Sequence, residues 1–140
     1  MITIALAESV EEIQNCYPVM FQLRPHLQAE DFVDRVRRQQ QAGFQLAYLT
    51  DSDSVKSVAG FRLAENLGWG NYLYLDDLST DEASRSKGYG QQLLDWLVVY
   101  GKAHGCGMLH LDSSVIRHGA HKFYLNQGMK IAGYHFMMEI

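Results

Sequence analysis

The segment Arg85-Ser86-Lys87-Gly88-Tyr89-Gly90 has the residue types of a phosphate-binding turn. It lies between a strand-like run, 72–78, and a helix-like run, 91–104. The first backbone N–H groups of a helix have no intrahelical partner and gain positive charge from the helix dipole, so they bind anions. Gly88 and Gly90 let the main chain approach an anion closely, and Arg85 and Lys87 add mobile positive charge. The pattern therefore predicts a phosphate-binding loop.

Two other phosphate-binding loops do not fit the same residues. A P-loop requires glycine, lysine and then serine or threonine, whereas Lys87 precedes Gly88. A dinucleotide fingerprint requires a third glycine where this chain has Leu93, and no acidic residue follows at a strand end about twenty residues on. The motif that remains is Arg-x-x-Gly-x-Gly.

A second motif lies further along the chain. Residues 120–129 are Ala-His-Lys-Phe-Tyr-Leu-Asn-Gln-Gly-Met. With Arg-x-x-Gly-x-Gly, this segment resembles the GNAT superfamily of N-acetyltransferases, whose pattern here is Ala-x-x-Phe-Tyr-x-x-x-Gly-Phe; Met129 replaces the usual Phe. The resemblance rests on motifs from about Tyr72 to the C terminus and on element order alone before that. The segment Leu75-Asp76-Asp77-Leu78 also resembles, more weakly, the diamine-acetyltransferase branch of this superfamily.

The resemblance implies one α/β domain over residues 1–140, with the order β-αα-βββ-α-β-α-β. It also implies a mixed, mostly antiparallel central sheet with splayed strands and flanking helices. Periodicity and turn residues predict the individual elements. Strands are expected at 2–6, 44–49, 55–63, 72–78, 108–112 and 130–140, the last broken at Gly133, and helices at 8–17, 28–42, 91–104 and 118–127.

The same resemblance implies acetyl-CoA as the acyl donor. Its pyrophosphate would lie on the glycine loop, and backbone N–H groups at 78–80 would stabilise the negative charge that develops on the thioester oxygen. An asparagine near the end of the last helix contacts CoA in many relatives, which suggests Asn126. The expected cofactor-binding residues are Leu78, Ser79, Thr80, Arg85, Ser86, Lys87, Gly88, Tyr89, Gly90, Gln91 and Asn126.

Acetylation of an amine requires removal of a proton. An alkylammonium group with a pKa near ~10.4 is neutral in about one molecule in 2,500 at pH 7, which costs about 4.6 kcal/mol. Asp76 and Asp77 are the nearest carboxylates to the expected thioester site, and the resemblance makes Asp76 the first choice as base. Only one of them can face the cleft if the strand is regular. A role in solvating the strand end or holding a substrate cation stays open for either.

The leaving CoA thiolate benefits from a proton donor. Tyr124 occupies the position of the family's tyrosine and is the expected general acid. The alternative is that Phe123 and Tyr124 are apolar residues of a packed helix. His118 and His121 lie one helical turn apart, but the remaining spacing matches no zinc pattern, so no metal is expected.

Composition limits the partners. The formal net charge of −4 argues against nucleic acid, and the basic cluster Arg35-Arg37-Arg38 is interpreted as a solvated helix face. No run of about eighteen apolar residues and no basic leader is present, so we expect a cytoplasmic protein without membrane contact. A homodimer is compatible with the sequence.

These observations predict an N-acetyltransferase that moves an acetyl group from acetyl-CoA to a primary amine by direct transfer in a ternary complex. The acidic residues expected near the cleft favour a cationic small molecule; they are Asp76, Asp77, Asp81, Glu82 and Asp112. Three alternatives stay open: a non-catalytic acyl-CoA sensor, a protein N-terminal or lysine acetyltransferase, and an interaction domain that uses the fold as a scaffold.

Overall fold

The computed structural model describes all 140 residues, which form two units, 1–110 and 111–140. The first unit contains most of the regular structure. Its elements are β1 (Ile2–Leu6), α1 (Val10–Leu23), α2 (Phe32–Gln41), β2 (Phe44–Asp51), β3 (Ser54–Asn66), β4 (Gly70–Thr80), a 3₁₀ turn (Glu82–Ser84), α3 (Tyr89–Ala103) and most of β5 (Met108–Leu111). The second unit contains α4 (His118–Asn126).

The five strands form one sheet in the order β1-β2-β3-β4-β5. The first four pair in antiparallel fashion with their sequence neighbours. β5 returns beside β4 through α3, a crossover that makes this pair parallel and the sheet mixed. The tight β2–β3 turn uses Ser52 and Asp53 at positive φ (54° and 63°), as two-residue hairpin loops require.

A β-bulge interrupts β4 at Asp76. Gly60 of β3 is paired with Asp77, whereas the next residue, Phe61, is paired with Leu75, so Asp76 is an extra residue. Before the bulge, Leu73 packs against Gly101 of α3. After it, Ser79 donates a hydrogen bond to the Val19 carbonyl of α1 at 3.0 Å. The odd-numbered side chains of β4 therefore face α3 before the bulge and α1 after it.

The hydrophobic core lies on both faces of the sheet. One cluster joins α1 and α2 to β2 and β3, and its fully buried members include Ile13, Cys16 and Val58. On the other face α3 buries Leu93 and Leu97. α1 begins with a capping box in which the Ser9 and Glu12 side chains accept hydrogen bonds from each other's backbone N–H groups.

Several predicted boundaries were wrong. α1 does not end at Tyr17 but continues through Pro18 to Leu23, and α2 begins at Phe32 rather than at residue 28. Proline removes one donor and crowds the preceding turn. The buried side chains of Val19 and Met20 after it provide packing that keeps the helix together.

The predicted closing strand over residues 130–140 is not formed, either as one strand or as two pieces joined at Gly133. α4 ends before Gly128, which has φ +88°, and the chain beyond it has no regular secondary structure. Apolar side chains alternate here, and Tyr134 and Phe136 are exposed. Alternation describes which side chains share a face, but a strand also needs a neighbouring backbone to pair with, and this segment forms no ladder.

Candidate active site

The glycine loop opens α3 in an uncapped form. Gly88 is the N-cap residue with φ 81° and ψ 10°, and no side chain caps the helix. The first intrahelical bond runs from Gln92 N to Gly88 O at 3.0 Å, so the N–H groups of Tyr89, Gly90 and Gln91 have no partner within the helix. Such an arrangement of free donors at a helix N-terminus suits a phosphate group.

The loop is fixed from both sides, although its cationic side chains are exposed. The Tyr89 hydroxyl donates a 2.6 Å hydrogen bond to Asp51 at the end of β2. This bond raises the pKa of Tyr89 and lowers the pKa of Asp51. On the other side, Gln22 of α1 donates to Asp81 at 2.8 Å and accepts from the Glu82 backbone N–H at 2.9 Å. The loop backbone is therefore held in place before any ligand binds. Its exposed residues are Arg85, Ser86, Lys87 and Gly88.

The end of β4 presents backbone donors away from β3. Asp81 N donates to Lys56 O at 2.8 Å. By antiparallel alternation the backbone N–H of Ser79 also points toward β3, whereas the backbone N–H groups of Leu78 and Thr80 point away from it. β5 has four residues and starts beside Asn71, where Gly107 N donates to Asn71 O at 3.0 Å. It therefore runs beside roughly the first half of the eleven-residue β4 and stops before Leu78.

Asp77 is enclosed where β4 meets α1 and α2. Its side chain is 16% exposed, and Arg24 Nε donates to it at 2.8 Å. Burial raises the pKa of the Asp77 carboxyl, while the hydrogen bond from Arg24 works in the opposite direction. Gly60 stands opposite Asp77, and a Cβ there would lie 2.7 Å from the Asp77 carboxylate and 2.6 Å from the Phe44 ring. The absence of a side chain at Gly60 therefore makes room for this carboxylate.

Asp76 has a different environment on the same face of the sheet. It forms a two-point ion pair with Arg62, at 3.0 Å to Nε and 2.8 Å to Nη2. Arg62 is the cross-strand partner of Phe44, which lines the pocket beside Asp77. The bulge thus lets both carboxylates face the α1–α2 side, which a regular strand would not. Of the two, Asp77 is the less exposed.

A pocket of about 290 Å³ opens next to Asp77. Its apolar wall contains side chains from α1, α2 and β2, and its polar residues come mainly from α2 and the α1–α2 connection. Tyr17 donates to the Leu27 carbonyl at 2.9 Å, which fixes that connection. The lining residues are Met20, Arg24, His26, Leu27, Phe32, Arg35, Val36, Gln39, Phe44, Leu46 and Asp77.

Two sequence-predicted site residues belong to the second unit. Tyr124 is half-buried in α4, next to Phe123 with their rings at 5.4 Å. Burial raises the pKa of the Tyr124 hydroxyl, although Arg117 lowers it. Asn126 is exposed at the last position of α4. His121 Nε2 lies 2.7 Å from the Ser114 carbonyl oxygen.

Sequence reasoning did not identify the groups that hold these residues. Arg24 donates to the Asp77 carboxylate and, at 3.2 Å, to the carbonyl of Asp76, and Gln22 connects α1 to the glycine loop. Gly60 lies within a strand pattern, and an isolated glycine in a strand often indicates a bulge or close approach. The glycine could therefore have indicated the close packing between β3 and β4 at this point. Nothing in the local sequence indicates these two long-range contacts from Gln22 and Arg24, at the C-terminal end of α1.

Comparison with known proteins identifies the family. The family model of the acetyltransferase (GNAT) family matches residues 7–129. This chain is a member of the GNAT acetyltransferase family. It is 32% identical over 142 residues to the uncharacterized N-acetyltransferase YhdJ of Bacillus subtilis (strain 168), with all of both chains covered.

Solved structures share the GNAT fold. Aminoglycoside N-acetyltransferase AAC(6′)-Iy in complex with CoA superposes with a TM-score of 0.88, covering 100% of this chain and 95% of that one at 13% identity. A transcriptional regulator from Bacillus halodurans C-125 gives 0.85, with full coverage of both chains at 18% identity. The family match and the relative therefore make this GNAT protein an acetyl-CoA-dependent N-acetyltransferase.

Two further predictions concern metal and membrane. No three His, Cys, Asp or Glu side chains of this GNAT protein converge in a way that could hold a metal ion. No helix has the length and apolar character needed to cross a bilayer.

Proposed function

We propose that this GNAT protein transfers the acetyl group of acetyl-CoA directly to a primary amine of a small molecule, with both substrates bound together. The observation that carries the proposal is the enclosed Asp77 carboxylate, which lies near the end of β4, immediately before the strand segment with outward-facing N–H groups. AAC(6′)-Iy, which shares the fold, has been solved with CoA and with the bisubstrate analogue CoA-S-monomethyl-acetylneamine. A fold that accommodates a joined donor and acceptor supports direct transfer.

The residues present fit the donor. When bound, acetyl-CoA supplies the acetyl thioester. The free N–H groups of Tyr89, Gly90 and Gln91 at the start of α3 would hold its pyrophosphate, with Arg85 and Lys87 adding positive charge. The outward-facing N–H groups of β4 would hold the remainder of the acetyl-CoA molecule, including its thioester oxygen.

We assign the base role to Asp77 in preference to Asp76. A carboxylate whose pKa is raised by burial accepts a proton more readily, and Asp77 has such a pKa. The Asp76 carboxylate is occupied on both oxygens by Arg62. Asp77 also lines the pocket, where an acceptor amine would lie. Asp77 would take the ammonium proton directly or through one water molecule.

We assign the acid role to Tyr124. A proton donor must remain protonated at working pH, and burial raises the pKa of this hydroxyl. In the overall step the amine nitrogen bonds to the acetyl carbon and the carbon–sulfur bond breaks. The ammonium gives one proton to Asp77 before it attacks. After attack the nitrogen loses a second proton, which replaces the one that Tyr124 gives to the sulfur, and Asp77 releases its proton to solvent. The products are the N-acetylated amine and CoA.

The expected preference for a cationic acceptor loses part of its support. It rested on acidic residues near the cleft, but Asp76 and Asp77 each pair with an arginine. Asp81 accepts hydrogen bonds from Gln22 and Ser84. These carboxylates are therefore occupied by groups of the protein, and a cationic substrate would have to compete for them. The proposal keeps the primary amine.

Initial-velocity kinetics test direct transfer. A panel of amines is assayed for CoA release, and the N-acetylated product is identified by mass spectrometry. With the best amine, the concentrations of acetyl-CoA and of the amine are both varied. Direct transfer predicts intersecting double-reciprocal lines, because both substrates must be bound before product forms. Parallel lines would indicate an acetyl-enzyme and contradict the proposal. CoA binding without acetylation of any amine would instead indicate an acyl-CoA sensor.

A further inference from the structure

The pocket beside Asp77 contains more positive than negative charge. Two arginines, Arg24 and Arg35, line it, whereas Asp77 is its one carboxylate and is already bonded to Arg24 at 2.8 Å. The pocket therefore keeps an arginine for which the protein supplies no counter-ion. Arg35 forms none of the ion pairs in the chain.

The guanidinium of Arg35 is also incompletely hydrogen-bonded. Its Nε atom is buried and has no hydrogen-bond partner. Native proteins pair nearly all buried donors, because an unsatisfied one costs free energy. Arg37, two positions on, donates to Gln40 at 3.2 Å, so α2 does provide an acceptor to that arginine. The unpaired donor of Arg35 lies where a bound ligand could supply the acceptor.

Most of the remaining lining of the pocket is apolar and fixed. Phe32, Val36 and Phe44 are at most 7% exposed, and the Phe32 ring packs edge-on against Tyr17 at 5.2 Å. Tyr17 also holds the α1–α2 connection through the Leu27 carbonyl. A volume of about 290 Å³ is at the lower end of the range for small-molecule sites. It suits a small molecule with a short hydrocarbon portion.

We propose that the acceptor is a small amine that also carries a carboxylate and an apolar side chain, with its amine directed to Asp77 and its carboxylate paired with Arg35. This inference rests on the proposed acetyl transfer. The acceptor is then a zwitterion of the amino-acid type rather than a polycation. A guanidinium fits a carboxylate well because its N–H groups can make two parallel hydrogen bonds.

The test compares amines that differ only in the carboxylate. Leucine is paired with 3-methylbutylamine, phenylalanine with 2-phenylethylamine, and ornithine with 1,4-diaminobutane, each with saturating acetyl-CoA. The wild-type enzyme is expected to give the higher kcat/KM with the carboxylated member of at least one pair. In Arg35→Gln the ratio of the two kcat/KM values for that pair should fall by about 10- to 100-fold, as expected for loss of a charged hydrogen bond.

Arg38→Gln is the matched control. Arg38 lies on the same helix, is exposed and does not line the pocket, so its variant should keep the wild-type ratio. Arg35→Lys retains the charge and should recover part of the preference. Thermal denaturation of each variant with acetyl-CoA bound checks that the fold persists.

Each outcome distinguishes the two proposals. Preference of the wild type for the decarboxylated amines, or an unchanged ratio in a folded Arg35→Gln, would overturn the anionic-acceptor inference and leave acetyl transfer intact. Failure to acetylate any amine while CoA is bound would overturn the proposed function and this inference together.

Discussion

Replacement of Gly60 by alanine tests whether the close packing at the β4 bulge controls both stability and the active-site carboxylate. A Cβ at this position would lie 2.6 and 2.7 Å from two atoms of the Phe44 ring and 2.7 Å from Asp77 Oδ2, whereas ordinary contacts of a Cβ are 3.4–4 Å. These three atoms, which belong to Phe44 and Asp77, would have to move by several tenths of an ångström or more. Overpacking of this kind costs about 1–3 kcal/mol of unfolding free energy.

The corresponding change in melting temperature follows from the chain length. An unfolding entropy of about 2.1 cal/mol/K per residue gives roughly 0.3 kcal/mol/K for this chain, so Gly60→Ala should lower Tm by roughly 3–10 °C. Urea denaturation measures the free energy and calorimetry the Tm. Because Asp77 is displaced, kcat/KM should fall as well.

Gly107→Ala is the matched control for Gly60→Ala. An added Cβ at Gly107 has no neighbour within 4 Å, so this variant should be close to wild type in stability and activity. If Gly60→Ala proves as stable and as active as Gly107→Ala, the packing argument at the bulge is refuted.

The remaining predictions concern the donor loop, the acid and the N-terminal cap. Gly88→Asp should abolish measurable acetyl-CoA binding by calorimetric titration, because bulk and negative charge enter a left-handed position beside the free N–H groups; near wild-type affinity would contradict the loop assignment. Tyr124→Phe should keep acetyl-CoA binding and lower kcat by roughly 10²–10⁴-fold; unchanged turnover would leave Tyr124 a packing role. Backbone hydrogen bonds lower the pKa of Glu12 from 4.5 to about 2, so its stabilising contribution is complete above pH 4.5 and is lost as the pH falls toward 2. Glu12→Gln should therefore differ most from wild type above pH 4.5 and least near pH 2 in urea denaturation, whereas Glu11→Gln should follow the wild-type pH dependence.

Sequence periodicity was sufficient for elements whose pattern and end signals are local. β1 has the predicted bounds, 2–6, and α3 ends at Ala103, two residues before Gly105, whose φ of +82° is typical of the glycine that follows a helix C-cap. The continuation of α1 through Pro18 depends on tertiary packing of the residues that follow. The closing segment has an alternating pattern but no paired neighbour. Neither of these outcomes can be obtained from local propensity.

The candidate site was predictable where it depends on backbone and motif. The uncapped glycine loop and the carboxylates at the end of β4 follow from residue order. The bulge at Asp76 does not, because it is defined by pairing with β3. The preference for Asp77 over Asp76 depends on which arginine each one meets, Arg24 just after α1 or Arg62 from β3. These partners are 53 and 14 residues away in sequence.

The pH dependence of Asp77→Asn tests the assignment of the base most directly, with Asp76→Asn as the matched variant. Both are assayed with the best amine across the pH range. Asp77→Asn should lose roughly 10²–10⁴-fold in kcat at neutral pH and recover part of it at high pH, where more of the amine is already neutral. Asp76→Asn should keep the wild-type profile. If Asp77→Asn instead raises only KM and leaves the pH profile unchanged, or if Asp76→Asn shows the larger loss, Asp77 is not the base.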